Sequence, residues 1–229
     1  MRYDAGMSSG SVAQANVEVA DSQPILPPNE NEKKLSPEAA LDELIAGNRR
    51  FTSGRTSSHR RDLAMLQQMM EKQEPFAAVL SCADSRVPVE VLFDQTIGQL
   101  FVTRVAGNMV SAEIMASLEY AVAVLGTRTI LVMGHSKCGA VTAAIQAANP
   151  AQAAPPGQIS ALFPYIEPAV KLAGPDLEPT VRANALLQAA RLRESPLLAS
   201  MIEEGKLIVA AGYFDLRSGA VTLLDQPRS

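Results

Sequence analysis

The segments Cys82-Ala-Asp-Ser-Arg86 and His135-Ser-Lys-Cys138 hold both cysteines of the chain and one of its two histidines. Two thiols and an imidazole are three of the four ligands that a tetrahedral zinc takes, and a site with three protein ligands keeps its fourth position for water or substrate. Thiolate and imidazole are soft to borderline donors, and no oxygen-rich cage suited to a harder cation accompanies them. Asp84 and Arg86 follow the first thiol closely. Their carboxylate and guanidinium have the geometry of a two-pronged pair. The chemistry written here is a metal centre with an acid-base partner beside it. It stands against two blander readings, unrelated buried thiols with a core histidine, or a Cys82–Cys138 disulfide that leaves His135 unused.

Such a centre forms only if distant elements bring residues 82 and 135 together. Cys82 ends an apolar run that starts at Phe76, and His135 closes a second run that starts at Thr129. Short apolar runs alternating with helical patterns predict parallel strands joined by crossover helices. In open parallel sheets, ligands gather beyond the carboxyl ends of the strands, where both segments fall. Gly134 and Gly139 allow close backbone approach there. We expect strands over 76–81, 100–105, 129–133 and 207–211, and helices over 111–125, 141–148, 159–172, 180–192 and 196–204, with a loop at 149–157. A last pair, 206–214 and 220–224, reads as a hairpin at the sheet edge. Upstream, Ser36-Pro37 reads as an N-cap with proline in the first turn, and Leu41, Leu44, Ile45 and Phe51 give that helix one apolar face. A further helix over 62–72 is expected to turn Leu63, Leu66, Met69 and Met70 inward. The expected fold class is α/β: a mostly parallel central sheet flanked by helices, with an N-terminal helical arm and a C-terminal antiparallel edge hairpin. Residues 35–229 form one domain. Residues 1–34, rich in Ser, Asn, Gln and Pro, read as a flexible or loosely docked extension, with an arm onto a neighbouring subunit as the alternative.

Composition removes several function classes. The chain has 229 residues, 47% of them hydrophobic and 19% charged, enough for a sizeable core. Its apolar stretches are broken by Glu119, Arg128 or glycine before reaching the roughly 18 uncharged residues of a membrane span. A net charge of −4 speaks against nucleic acid as a partner. Arg49, Arg50, Arg55, Arg60 and Arg61 read as a solvated helix face or subunit contact. Two cysteines do not make a disulfide framework. No secretory apolar segment is visible, so a cytoplasmic protein is the expectation, with an exported form whose leader is absent from this chain as the alternative.

Taken together, Cys82-Ala-Asp-Ser-Arg86, Phe101-Val-Thr-Arg-Val-Ala-Gly-Asn108 and Gly134-His-Ser-Lys-Cys-Gly139 resemble the β-class carbonic anhydrases, over about residues 40–224. The resemblance implies a zinc enzyme that hydrates carbon dioxide reversibly to bicarbonate and a proton. It implies one Zn2+ per subunit, with Cys82, His135 and Cys138 as ligands. Asp84 matches the aspartate that accepts a hydrogen bond from the zinc-bound water, and Arg86 the arginine that holds that aspartate off the metal. Gln73 matches a glutamine that the plant-like branch places beside the substrate, Phe101 and Tyr120 match its aromatic pocket lining, and the Gly139 amide falls where a substrate oxygen is held. A homo-oligomer built from dimers is implied, with N-terminal helices packing onto the partner and the site near the interface.

Zinc lowers the pKa of its bound water to roughly 7. Two thiolates give the metal more charge than imidazoles do, and a hydrogen bond to Asp84 compensates by orienting the nucleophile. The chain contains no tryptophan. The bicarbonate-inhibited branch of the family uses a Trp, Arg and Tyr pocket, so the resemblance points to the non-regulated branch, with Asp84 paired to Arg86 and away from the metal. His59 reads as an exposed loop histidine, or as a proton shuttle by its ordinary pKa near 6.5. Hydrolysis of carbonyl sulfide or carbon disulfide on the same zinc site is the alternative activity, and a non-catalytic zinc-stabilised scaffold the alternative class.

Overall fold

The computed structural model of the chain describes residues 35–57 and 63–225. The extension 1–34 and His59 lie outside the described residues. The five strands are β1 (Ala77–Ser81), β2 (Leu100–Arg104), β3 (Thr129–His135), β4 (Ile208–Phe214) and β5 (Val221–Leu223). They form one sheet in the order β2-β1-β3-β4-β5. The first three pairings are parallel and β4–β5 is antiparallel, so the edge hairpin is present as expected. Every residue of β1, β3 and β4 is buried. That is why these strands read as unbroken apolar runs: helices cover both faces of the sheet.

Alternation sends successive side chains to opposite layers. Ala78, Leu80, Ile130, Val132, Val209 and Ala211 face one core, under α4 (Ala112–Ala123), α7 (Leu177–Arg193) and α8 (Pro196–Glu203). Ala77, Val79, Leu131, Met133, Ile208 and Ala210 face the other, under α1 (Pro37–Thr52) and the short α3 (Val89–Leu92). Each fully buried Val, Leu, Ile or Met side chain here is worth about 1.5–3 kcal/mol.

Helix α1 begins as its sequence dictates. The Ser36 side chain accepts from the Ala39 N–H, Pro37 opens the helix, Glu38 lies in its first turn and Arg49 and Arg50 in its last. Its apolar face, Leu41 and Leu44, rests on the chain's own sheet. Buried Asn48 donates to the carbonyls of Leu92 and Gly219 and accepts from the Val221 N–H, tying α1 to α3 and to the edge hairpin. The approach is close: a Cβ on Gly47 would stand 1.8 Å from the Phe93 carbonyl oxygen, so only glycine fits.

Two expectations need correction. Helix α2 spans only Leu63–Gln68, and Leu63, Leu66 and Met70 are exposed rather than inward, because the amphipathic stripe finds no layer among the described residues to lie against. Met69 does pack, against Gly98. The expected helix over 159–172 is a 3-10 turn, Ile159–Leu162, followed by α6 (Phe163–Ala173), with Pro164 in its first turn. Among the described residues no helix is long and apolar enough to cross a membrane.

Below the sheet, Asp94 anchors the loop after α3. Burial would raise its pKa, but the Arg50 guanidinium at 2.6 Å and the Ser57 N–H at 3.0 Å outweigh burial and hold it below the usual carboxylate range. A carboxylate whose folded pKa is depressed stabilises the fold above its unfolded pKa of about 3.9, and that contribution is lost as pH falls through the lower folded value. Asp94→Asn is therefore expected to cost about 2 kcal/mol at pH 7. Urea denaturation should show the gap between variant and parent closing as pH is lowered below about 4.

Candidate metal centre

Cys82, His135 and Cys138 converge because strand ends meet. Ser81 pairs with Met133 across the β1–β3 ladder, so Cys82 leaves β1 beside the last residues of β3. That strand runs two residues beyond expectation and ends on His135 itself, opposite Phe214 of β4. Lys137 takes a left-handed φ of 59°, which reverses the chain so that Cys138 becomes the N-cap of α5 (Gly139–Ala147). Cys82 Sγ, Cys138 Sγ and a His135 ring nitrogen all lie within 4.8 Å of one another, and all three residues are buried.

The donor chemistry fits a zinc ion. His135 Nδ1 stands 2.9 Å from the Ser136 carbonyl oxygen, which can only accept, so Nδ1 carries the hydrogen and Nε2 the lone pair. That Nε2 is buried without a hydrogen-bond partner. A buried polar atom left unpaired costs about 1–3 kcal/mol, which a cation would offset. The two sulfurs are 4.0 Å apart. Their contact lowers the Cys82 thiol, helped against burial by the N–H groups of Gly107 and Asp84, while the same contact and burial push Cys138 up. A divalent cation would let both ionise. The Ala140 and Val141 amides at the start of α5 favour the Cys138 thiolate. Cys82, His135 and Cys138 would hold the metal, with one position left to solvent or substrate.

Asp84 faces this cluster. Its Oδ1 accepts from the Arg86 N–H at 2.9 Å and from Arg86 Nε at 3.0 Å, and its Oδ2 accepts from Arg86 Nη2 at 2.8 Å. The fork holds Asp84 well below the usual carboxylate range, and Asp84 in turn raises Arg86. Oδ2 lies 3.9 Å from His135 Nε2. Arg86 also reaches the Lys137 carbonyl at 3.4 Å, bridging the two ligand segments. Two contributors were not singled out in the sequence. Arg104, the last residue of β2, donates to the carbonyls of Cys82 at 3.1 Å and Asp84 at 2.6 Å and so shapes the turn between them. The Gly107 N–H points at Cys82 Sγ, 3.4 Å away. Both lie in the Arg104-Val-Ala-Gly107 run, whose polar and glycine residues directly after a strand were the available signal.

Gly139 is the first residue of α5, exposed, with nothing within 4 Å of where a Cβ would sit. Its N–H belongs to the helix turn that lacks intrahelical acceptors. Gln73, Phe101 and Tyr120 are not brought to the cluster within one chain. Phe101 pairs with Ala78, four residues before Cys82, so it stands about 13 Å back along the strands. Tyr120 lies beside Phe101, ring centres 6.4 Å apart, and is 40% exposed. Gln73 is exposed in the segment leading into β1.

Comparison with known proteins agrees with this geometry. A family model described as carbonic anhydrase matches residues 77–221. Carbonic anhydrase 2 of Mycobacterium tuberculosis is 33% identical over 197 residues, covering 83% of this chain and 94% of that one. The carbonic anhydrase of Mycolicibacterium smegmatis is 37% identical over 145 residues, 63% of this chain and 68% of that one. Among solved structures, the β-carbonic anhydrase CcaA superimposes with a TM-score of 0.64 at 28% identity, over 82% of this chain and 92% of that one.

Zinc at 100 times its dissociation constant is expected to stabilise the fold by about 2.7 kcal/mol, seen as a rise in melting temperature. Cys138→Ser should abolish most of that rise and of the metal retained after dialysis, measured by elemental analysis.

Proposed function

Because this chain belongs to the β class of the carbonic anhydrase family, we propose that it hydrates carbon dioxide reversibly, giving bicarbonate and a proton, with one zinc per subunit on Cys82, His135 and Cys138. The observation that carries the proposal is the pairing of an unpartnered His135 Nε2, close to two thiols, with a carboxylate already locked by its own arginine. Zinc, when bound, supplies Lewis acidity that brings the pKa of a water near 7.

The protein's share is orientation. Asp84 Oδ2, the carboxylate oxygen nearer His135, accepts the O–H of the attacking oxygen and turns its lone pair toward the carbon. Arg86 keeps that carboxylate ionised and fixed in place, and its planar fork is not reproduced by a lysine. The Gly139 N–H holds one oxygen of the substrate. Buried walls of Cys82, Val141, Ile166 and Val181 keep the surroundings apolar, which suits an uncharged substrate and strengthens each of these contacts. Bicarbonate leaves and the proton passes to water or buffer. Absence of tryptophan supports the plant-like branch without the bicarbonate-inhibited pocket.

Gln73, Phe101 and Tyr120 serve the substrate only from a neighbouring subunit, since within one chain they stand at the opposite end of the strands from Cys82. A homo-oligomer built from dimers is the assembly we propose. Exposed Leu63, Leu66 and Met70 supply an apolar surface for the partner. Leu66→Glu is expected to leave the monomer folded, shift light scattering toward the monomer and lower the hydration rate per zinc.

Stopped-flow carbon dioxide hydration on a sample of measured zinc content tests the activity directly. Asp84→Asn should retain zinc and lose at least about 100-fold in rate. A parent that is fully loaded yet inactive would reject the reading, as would an Asp84→Asn variant as fast as the parent. Faster turnover of carbonyl sulfide than of carbon dioxide would reassign the substrate.

A further inference from the structure

One chain of hydrogen bonds at the metal centre begins on α7, an element that contributes no ligand. Asn184 and Gln188 sit one turn apart on the same face of that helix. Both are buried, 0% and 3% exposed. Asn184 Nδ2 donates to the Gly107 carbonyl at 2.9 Å. Gln188 Nε2 donates to Asn184 Oδ1 at 3.2 Å and to the Tyr165 carbonyl at 2.8 Å, while Gln188 Oε1 accepts from the Val110 N–H at 2.8 Å. Between these two anchor points the backbone is left-handed at successive residues, with φ 78° at Gly107 and 42° at Asn108. A Cβ on Gly107 would stand 2.7 Å from Ile166 Cδ1. The loop is thus clamped on its carbonyl side, on its amide side and from above. What the clamp presents is the Gly107 N–H, aimed at Cys82 Sγ.

We propose that Asn184 and Gln188 are positioning residues of the metal centre: by clamping the 107–110 loop they fix the Gly107 amide against the Cys82 sulfur and so set how much charge that sulfur gives to the metal. The inference rests on the zinc reading above. An N–H donor aimed at a metal thiolate draws charge off the sulfur, and such outer partners tune the ion that the ligands hold. The two sulfurs are served differently. Cys138 takes its amides from the first turn of its own helix, which exists wherever α5 exists. Cys82 takes one amide from the turn that follows it, at Asp84, and the other, Gly107, from a left-handed loop that other backbone conformations would displace, so an external clamp is needed for that donor. Neighbouring positions of α7, Ala185, Ala189 and Leu192, pack the sheet with apolar side chains; the two amides lie on the side that meets the loop.

Cobalt replaces zinc in the full-length protein for the test, because thiolate-to-cobalt charge-transfer bands report on the sulfurs directly. Asn184→Asp puts a carboxylate oxygen where the donor to Gly107 stood. It is expected to shift the near-ultraviolet band and weaken zinc binding about 10- to 100-fold. Gln188→Glu, which keeps the acceptor for the Val110 N–H but loses the donor to Asn184, should move both readouts in the same direction by less, and it decides the matter if Asn184→Asp does not fold. Leu192→Ala, on the same helix but in the sheet core, should lower the melting temperature and leave band and affinity at parent values. A folded Asn184→Asp or Gln188→Glu protein with the parent's band, and with zinc affinity within about twofold of it, overturns the proposal. A parent that takes up no cobalt overturns it together with the zinc reading. A parent that shows the band but hydrates no carbon dioxide rejects only the activity, and the shift in the variants then still decides the clamp.

Discussion

Parallel pairing of β1 with β3 is the constraint on which the site depends. With Ser81 opposite Met133, the residue after one strand meets the final residues of the other, and two segments more than 50 positions apart in sequence become one cluster. A slip of one residue in that ladder would turn every side chain of the strand to the opposite layer. The register is defended from both sides, because Ala78 and Leu80 are committed to one core and Ala77 and Val79 to the other. It is closed from above where α7 crosses Gly134, whose missing Cβ would meet Val181 Cγ1 at 2.9 Å. The geometry of the cluster is a by-product of how the hydrophobic layers are assigned.

Around that cluster the charges are compensated over very short distances. Asp84 is neutralised by a side chain two residues away, and the turn between them and Cys82 is held by Arg104 through backbone carbonyls. Each sulfur faces backbone amides, one set from a helix start and one from a loop. The anionic character that two cysteines and an aspartate bring is thus spread over fixed dipoles and two guanidinium groups. Only the Asp84–Arg86 pair is local; Arg104 and Gly107 reach the same turn from the end of β2 and the loop after it.

Most of this was legible in the sequence where the physics is local or periodic. Strands buried on both faces gave continuous apolar runs, Ser36-Pro37 announced a cap that is present, and Cys82, His135 and Cys138 declared themselves by type and spacing. Legibility failed where a partner decides the outcome. Leu63, Leu66 and Met70 form a helical stripe, but periodicity says only that a face is apolar, never what covers it. His135 belongs to a strand rather than a turn because Phe214 pairs with it from 79 residues away. Asn184 and Gln188 carry no signal in the sequence, since the carbonyl and N–H they serve are placed only once the 107–110 loop has its left-handed shape.

The clamp from α7 also has a meaning in time. Cys82, His135, Cys138, the Asp84–Arg86 pair and the Gly107 amide lie between residues 82 and 138, and β1, β2 and β3 are formed from residues 77–135. Asn184 and Gln188 reach back across 77 and 78 residues to secure that amide. Such non-local contacts wait until α7 has been made. During synthesis, therefore, Cys82, His135 and Cys138 leave the ribosome before both α7, which clamps the loop, and β4, which pairs with His135, so the cluster reaches its final shape only when the C-terminal elements have folded onto it.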